Sequence, residues 1–149
     1  MQPLQFLVPL DAFAGIEPVL KYVILALVLV NMVTRLLAHR SHVKQARDGD
    51  GDESLSRFLP HSITTVLLVL ASFLLLVFEP HAGTVLSTLV IGLFLADVFE
   101  YESRRVEARS KGLELEYPKA ALGASVLVLM YAAYQSLFFL VEGYWNLVV

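Results

Sequence analysis

The 149 residues contain no cysteine, which excludes disulfides, thiolate nucleophiles and cysteine-ligated iron–sulfur clusters. Charge is scarce as well: Asp, Glu, Lys and Arg make up 17% of the chain, and 11 bases against 14 acids leave a net charge of −3. A soluble nucleic-acid binder needs a basic surface, so no nucleic-acid partner is expected. Glycine and proline, 8 and 6 in number, are too few for a collagen-like repeat or a low-complexity chain. The sequence also lacks a phosphate-binding glycine loop, a GxSxG nucleophile elbow, an HExxH zinc pair and paired carboxylates within an apolar run. The expectation is a non-catalytic protein with no catalytic residues, no metal and no cofactor.

What the chain has in excess is apolar surface. Apolar residues form 57% of it, against about 45–50% in an ordinary globular domain, and that surplus also excludes intrinsic disorder. The excess is gathered into four runs. Residues 19–37 are interrupted only by Lys21, Asn31, Thr34 and Arg35, with Pro18 placed where the first turn of a helix tolerates proline. Residues 63–78 follow Pro60 and His61 and end at Glu79-Pro80-His81-Ala82-Gly83, which reads as a turn. Residues 84–98 contain Asp97 and continue into charged sequence without a breaker until Gly112, while residues 120–141 carry no charge at all. The reading is an all-α integral membrane four-helix bundle forming one domain over 1–149, with spans at about 18–38, 61–78, 83–99 and 119–141. The second and third runs are about sixteen residues each, so a re-entrant hairpin stands beside two full crossings.

Orientation follows from the Lys and Arg residues. Arg35, Arg40, Lys44, Arg47 and Arg57 lie in or beside the first connecting segment, and Arg104, Arg105, Arg109, Lys111 and Lys119 precede the fourth run. Lys21 alone falls elsewhere and can snorkel. The positive-inside rule therefore assigns segments 39–60 and 100–118 to the cytoplasm and both termini to the outside. Glu100 with Arg104 and Glu107 with Lys111 have the i,i+4 order that supports a helix, so helix three is expected to extend two or three turns into the cytoplasm and stop at Gly112. Met1-Gln2-Pro3 lacks the basic start of a signal peptide, so the N-terminus is read as retained. Residues 4–10 then form an interfacial lead-in anchored by Phe6 and Phe13, with Asp11 placed to cap a short turn over 12–17. Tyr144 and Trp145 read as an outer aromatic anchor.

Few residues suggest chemistry. Asp48-Gly49-Asp50-Gly51-Asp52-Glu53 begins like a calcium loop, but the sixth position is Glu53 instead of glycine and the twelfth is Leu59 instead of glutamate, so a flexible acidic linker is expected. His39 and His42 would share a helix face, yet two ligands do not make a metal site and they read as interfacial residues, while a haem held between His39 and His61 is not expected because no second histidine pair is buried in a span. Asp97 is the one carboxylate inside an apolar run, and Arg35 is its expected partner; a structural ion pair and an ion relay are the two readings. Thr84, Thr88, Gly92 and Ala96 recur every four residues, and Ala120 and Ala124 offer a second small-residue strip, with Ala132 and Ser136 displaced from it. Such strips let helices approach closely, either spans three and four within one chain or this chain and another subunit.

The acidic run at 48–53, seven arginines against four lysines and the absence of cysteine look like salt-loving archaeal proteins. The stretch LQFLVPLDAFAGIEPVLKYVILALVLVNMVTRLLAHRSHV through LADVFEYESRR resembles a small haloarchaeal family of multi-pass membrane proteins with no assigned function. That resemblance implies a multi-pass cell-membrane location and brings no site residues. The expected role is a small accessory or scaffold subunit of a membrane complex, partnered by the bilayer and by other subunits or its own copies. The alternative is a small homo-oligomeric transporter or channel with Asp97 in the pathway.

Overall fold

The structure, a computed structural model, describes residues 15–48, 56–109 and 118–148. The lead-in at 1–14, the acidic run beyond Asp48 and the Gly112 stop lie outside the described residues. The described residues form five α-helices: α1 Glu17–Asp48, α2 Leu59–Phe78, α3 Pro80–Arg109, α4 Lys119–Leu137 and α5 Glu142–Val148, with a 3-10 turn Phe138–Leu140 between the last two. Among the described residues there is no strand. Four of the helices are long and apolar enough to cross a membrane.

Helix boundaries follow local chemistry. Helix α1 runs on through residues 39–48, which the sequence reading assigns to a connecting segment, because no glycine or proline interrupts Ala38 to Arg47. At 20 residues α2 is about 30 Å long, enough for the hydrocarbon core. Pro60 sits in its first turn. The expected five-residue turn after it contracts to one residue. Glu79 is extended (φ −131°, ψ 92°) and Pro80 already begins α3, since its fixed φ suits the first helical position and its missing N–H is no loss there. Beyond Leu137 the α-helical pattern gives way to the 3-10 turn, so the fourth span ends less regularly than expected.

The four long helices form a ring in which α1 packs on α2, α2 on α3, α3 on α4 and α4 on α1, leaving α1 and α3 on one diagonal and α2 and α4 on the other. The core is built from Leu20, Ile24 and Val28 of α1, Leu68 and Leu75 of α2, Leu86, Val90 and Leu93 of α3, and Ala121, Val128 and Ala132 of α4. Spacings of three, four and seven put each set on one helix face. The outer faces are equally apolar, with Val33, Leu70, Leu95 and Met130 among many exposed large side chains. Helices apolar all round belong in a nonpolar medium.

Small residues do set the closest approach, and of those the strips single out only the displaced Ala132 and Ser136 are buried. Thr84, Thr88 and Gly92 face outward and Ala96 is half-buried. The threonine hydroxyls donate to Pro80 O (2.6 Å) and Thr84 O (2.8 Å) of their own helix, which lets them sit on an apolar exterior. The contact with α2 runs one residue earlier: Gly83 lies against the backbone of Leu75 and Leu76, and the Ser87 hydroxyl donates to Ser72 O at 3.1 Å. On α4 the shift goes the other way, with Ala120 exposed and Ala124 half-buried while Ala121, Ser125, Ala132 and Ser136 are buried. A one-residue change turns a helix by about 100°, so these neighbouring strips look alike in sequence and face different surroundings.

Candidate functional site

Polar residues meet in the half of the bundle opposite the Glu79 turn. Helix α1 contributes Asn31, Thr34 and Arg35, α2 contributes His61, Thr64 and Thr65, and α3 contributes Asp97. Arg35 is only 1% exposed and reaches along the α1–α3 diagonal. Its Nε donates to Asp97 Oδ1 at 2.9 Å and its Nη2 to Oδ2 at 2.7 Å, a two-pronged ion pair of the geometry a guanidinium favours. The same Nη2 donates to Asn31 Oδ1 at 2.8 Å.

Asn31 extends the pair to α2. Its Nδ2 donates to Thr64 Oγ1 and Thr65 Oγ1, both at 3.0 Å, and the two threonine hydroxyls in turn donate to His61 O. Thr34 Oγ1 lies 2.9 Å from Asn31 O and 3.0 Å from His61 Nδ1. A hydroxyl has one proton; given to the Asn31 carbonyl, it leaves Oγ1 to accept from the imidazole. His61 Nε2 stands 3.3 Å from Asp97 Oδ2. Asn31, which the sequence shows only as a polar break in the first apolar run, is the link between Arg35 and α2.

Around this knot the other charged residues brace helix ends. Glu100 does not pair with Arg104 as its spacing suggests. Its Oε1 accepts from the backbone N–H groups of Ala120 (2.9 Å) and Ala121 (3.2 Å), supplying the N-terminal cap that Pro118 has no side chain to give. Glu102 pairs with Arg105 at 3.3 Å, and the Arg57 guanidinium lies 4.7 Å from the centre of the Tyr101 ring. At the other end Lys21 meets Glu79 at 3.0 Å, tying the start of α1 to the α2–α3 turn.

The profile of a domain of unknown function, DUF7313, matches residues 2–149. The chain belongs to that family. No curated protein and no solved structure matches it.

In this DUF7313 chain the histidines on α1 lie on the inner side of the helix. His39 and His42 are both buried, and His42 donates from Nε2 to Ser56 O at 2.8 Å while its ring packs on Tyr101 at 5.4 Å. Together with the two Gln45–Ser56 bonds, this fastens the chain entering α2 onto α1. Among the described residues no three His, Asp or Glu side chains are grouped to hold a metal. A cavity of about 220 Å³ does open between α1, α2 and α3, bordered by His42, His61, Thr65, Asp97 and Arg104. The DUF7313 chain therefore carries a buried ion pair, a hydroxyl and amide network, and beside both a largely apolar cavity that Asp97, His61 and Arg104 border.

Proposed function

We propose that this protein is a non-catalytic integral membrane protein of the cell membrane, a small accessory or scaffold subunit of a larger complex. The observation that carries this reading is the outward strip of Thr84, Thr88 and Gly92: a Cβ added at Gly92 would meet nothing within 4 Å. Small residues facing outward on an apolar helix offer a neighbouring helix close backbone approach, and the chain's own packing does not use them. In this reading the chain crosses four times, with both termini outside and the Arg35–Asp97 end toward the cytoplasm, as the distribution of Lys and Arg favours. The excess of arginine over lysine and the acidic run at 48–53 support a haloarchaeal host.

Gentle solubilisation of native membranes in high salt, affinity capture of the chain, and mass spectrometry with an absorption spectrum of the eluate test the role. Stoichiometric membrane subunits are the expected outcome. A homo-oligomer recovered alone would overturn the accessory role and favour a transporter or channel, a reading supported by Asp97 bordering the cavity. In that case Asp97→Asn abolishes flux in reconstituted vesicles.

Topology has its own test, because the chain lacks a native thiol. His81 beside the Glu79 turn is exposed whereas Ala82 is buried, so His81→Cys is the position to label. Modification by an external impermeant maleimide is expected. Labelling only after the membrane is permeabilised would replace the two crossings by a dip or reverse the orientation.

A further inference from the structure

The cavity holds about seven times the ~30 Å³ share of one water molecule in the liquid. Its walls differ in character. His61, Thr65, Asp97 and Arg104 line one part, while Val66, Phe94 and Val98 line another. Val66 and Phe94 are 54% and 41% exposed, so that part of the lining continues onto the apolar exterior between α2 and α3. Arg57, over the Tyr101 ring, borders the same space.

Two observations point to a ligand. The first is Arg104, which is 6% exposed and borders the cavity, yet its Nε and Nη1 find no hydrogen-bond partner among the described residues. Arg35 Nη1 is also without one. A buried guanidinium whose N–H groups lack an acceptor is costly, so an acceptor brought by a ligand gains correspondingly. The second is charge. Arg57 and Arg104 border the cavity against Asp97 alone; Asp97 is engaged by Arg35, and Glu100, which acts on Arg104 from outside the lining, spends one oxygen on the start of α4. Glu107 acts on Arg104 through space, one turn further out, and does not border the cavity. The missing partner is an anion with several acceptor oxygens, for which phosphate suits a guanidinium best. The apolar part of the lining selects an amphiphile over a water-soluble anion.

We propose that this cavity binds the phosphodiester headgroup of one anionic phospholipid, with Arg104 and Arg57 on the phosphate and the acyl chains leaving between α2 and α3 over Val66, Phe94 and Val98. Basic pockets between helices at the cytoplasmic side of a membrane protein are suited to acidic headgroups. The proposal rests on the chain crossing a bilayer and is independent of the accessory role.

The test is native mass spectrometry of the purified full-length protein with added phosphatidylglycerol or phosphatidylcholine of identical acyl chains. Both lipids carry the phosphodiester, but the choline ammonium cancels its charge and meets Arg104 and Arg57 as a like charge, so phosphatidylglycerol is expected to be retained at about tenfold lower concentration. Arg104→Gln is expected to remove most of that preference. Arg57→Gln, on an exposed residue outside the helices, is expected to keep the fold and reduce the preference about fivefold, and it decides the matter alone if the Arg104 variant does not fold. Equal retention of the two lipids, or a preference unchanged in the folded variants, would overturn the proposal. Displacement of the lipid by millimolar glycerol phosphate would overturn it too, assigning the cavity to a soluble anion. If neither lipid is retained and alkaline carbonate strips the chain from native membranes, the membrane reading falls with the site.

Discussion

Replacing Arg35 by Met, or Asp97 by Leu, is expected to cost about 3–5 kcal/mol of stability each, while the double variant recovers most of the loss. The asymmetry has a simple origin. Two charges removed from water are tolerated because each neutralises the other across two hydrogen bonds of 2.9 and 2.7 Å. Taking one away leaves its partner desolvated and unmatched in the interior. Arg35 is the more exacting member, since its 1% exposure gives water no access and its Nη2 is shared with Asn31. Met and Leu keep much of the side-chain volume, so the double variant exchanges a polar contact for an apolar one without a large cavity. Unfolding of the purified protein in detergent, followed by circular dichroism through a double-mutant cycle, measures the coupling. Strictly additive losses would show that the two residues act independently. Asp97→Asn separates charge from shape: it keeps an acceptor oxygen for the guanidinium but leaves its charge uncompensated, so it is expected to fall between wild type and Asp97→Leu.

How much of this was legible in the sequence depends on which physical signal was strong. Long apolar runs announce helices of membrane-spanning length, and the lone carboxylate within an apolar run, with an arginine inside another, announced the Arg35–Asp97 pair. The rest of the polar knot had a pattern too. Asn31, Thr34 and Arg35 stand at i, i+3 and i+4, and so do His61, Thr64 and Thr65. Each trio therefore occupies one helix face. What the sequence lacks is the rotation of α2 against α1 that brings those faces together. Local pairing also misled at Glu100, whose i,i+4 spacing to Arg104 suits an ion pair. In the structure its oxygen accepts from two backbone N–H groups of α4, helix-end donors that would otherwise lack partners. Arg104 is left facing the cavity as a consequence, a position no spacing rule would single out.

The small-residue strips carry the same rotational ambiguity, and two glycines of α3 turn it into a measurement. Gly83→Ala is expected to destabilise the protein by about 1–3 kcal/mol, the usual cost of overpacking, because the new methyl group would collide with the backbone of Leu75 and Leu76. Backbone cannot swing aside as a flexible side chain can. The single extended residue at Glu79 leaves the α2–α3 hairpin little slack to widen, so Gly83→Leu is expected to open the hairpin and expose its inner face to protease. Gly92→Ala changes the same two residue types in the same helix with open space around the new methyl. There the lower conformational entropy cost of alanine prevails, and a gain of about 0.5–1 kcal/mol is expected. Thermal unfolding of the two variants side by side gives opposite signs if α3 is oriented as described; equal losses would mean that the strip through Thr84, Thr88 and Gly92 faces inward after all. Gly92→Leu then links packing to role. It should leave the isolated bundle folded, since nothing in the chain occupies that space, and it should weaken recovery of any partner helix that uses the strip. Retention of the full set of partners by Gly92→Leu would move the association surface to another face.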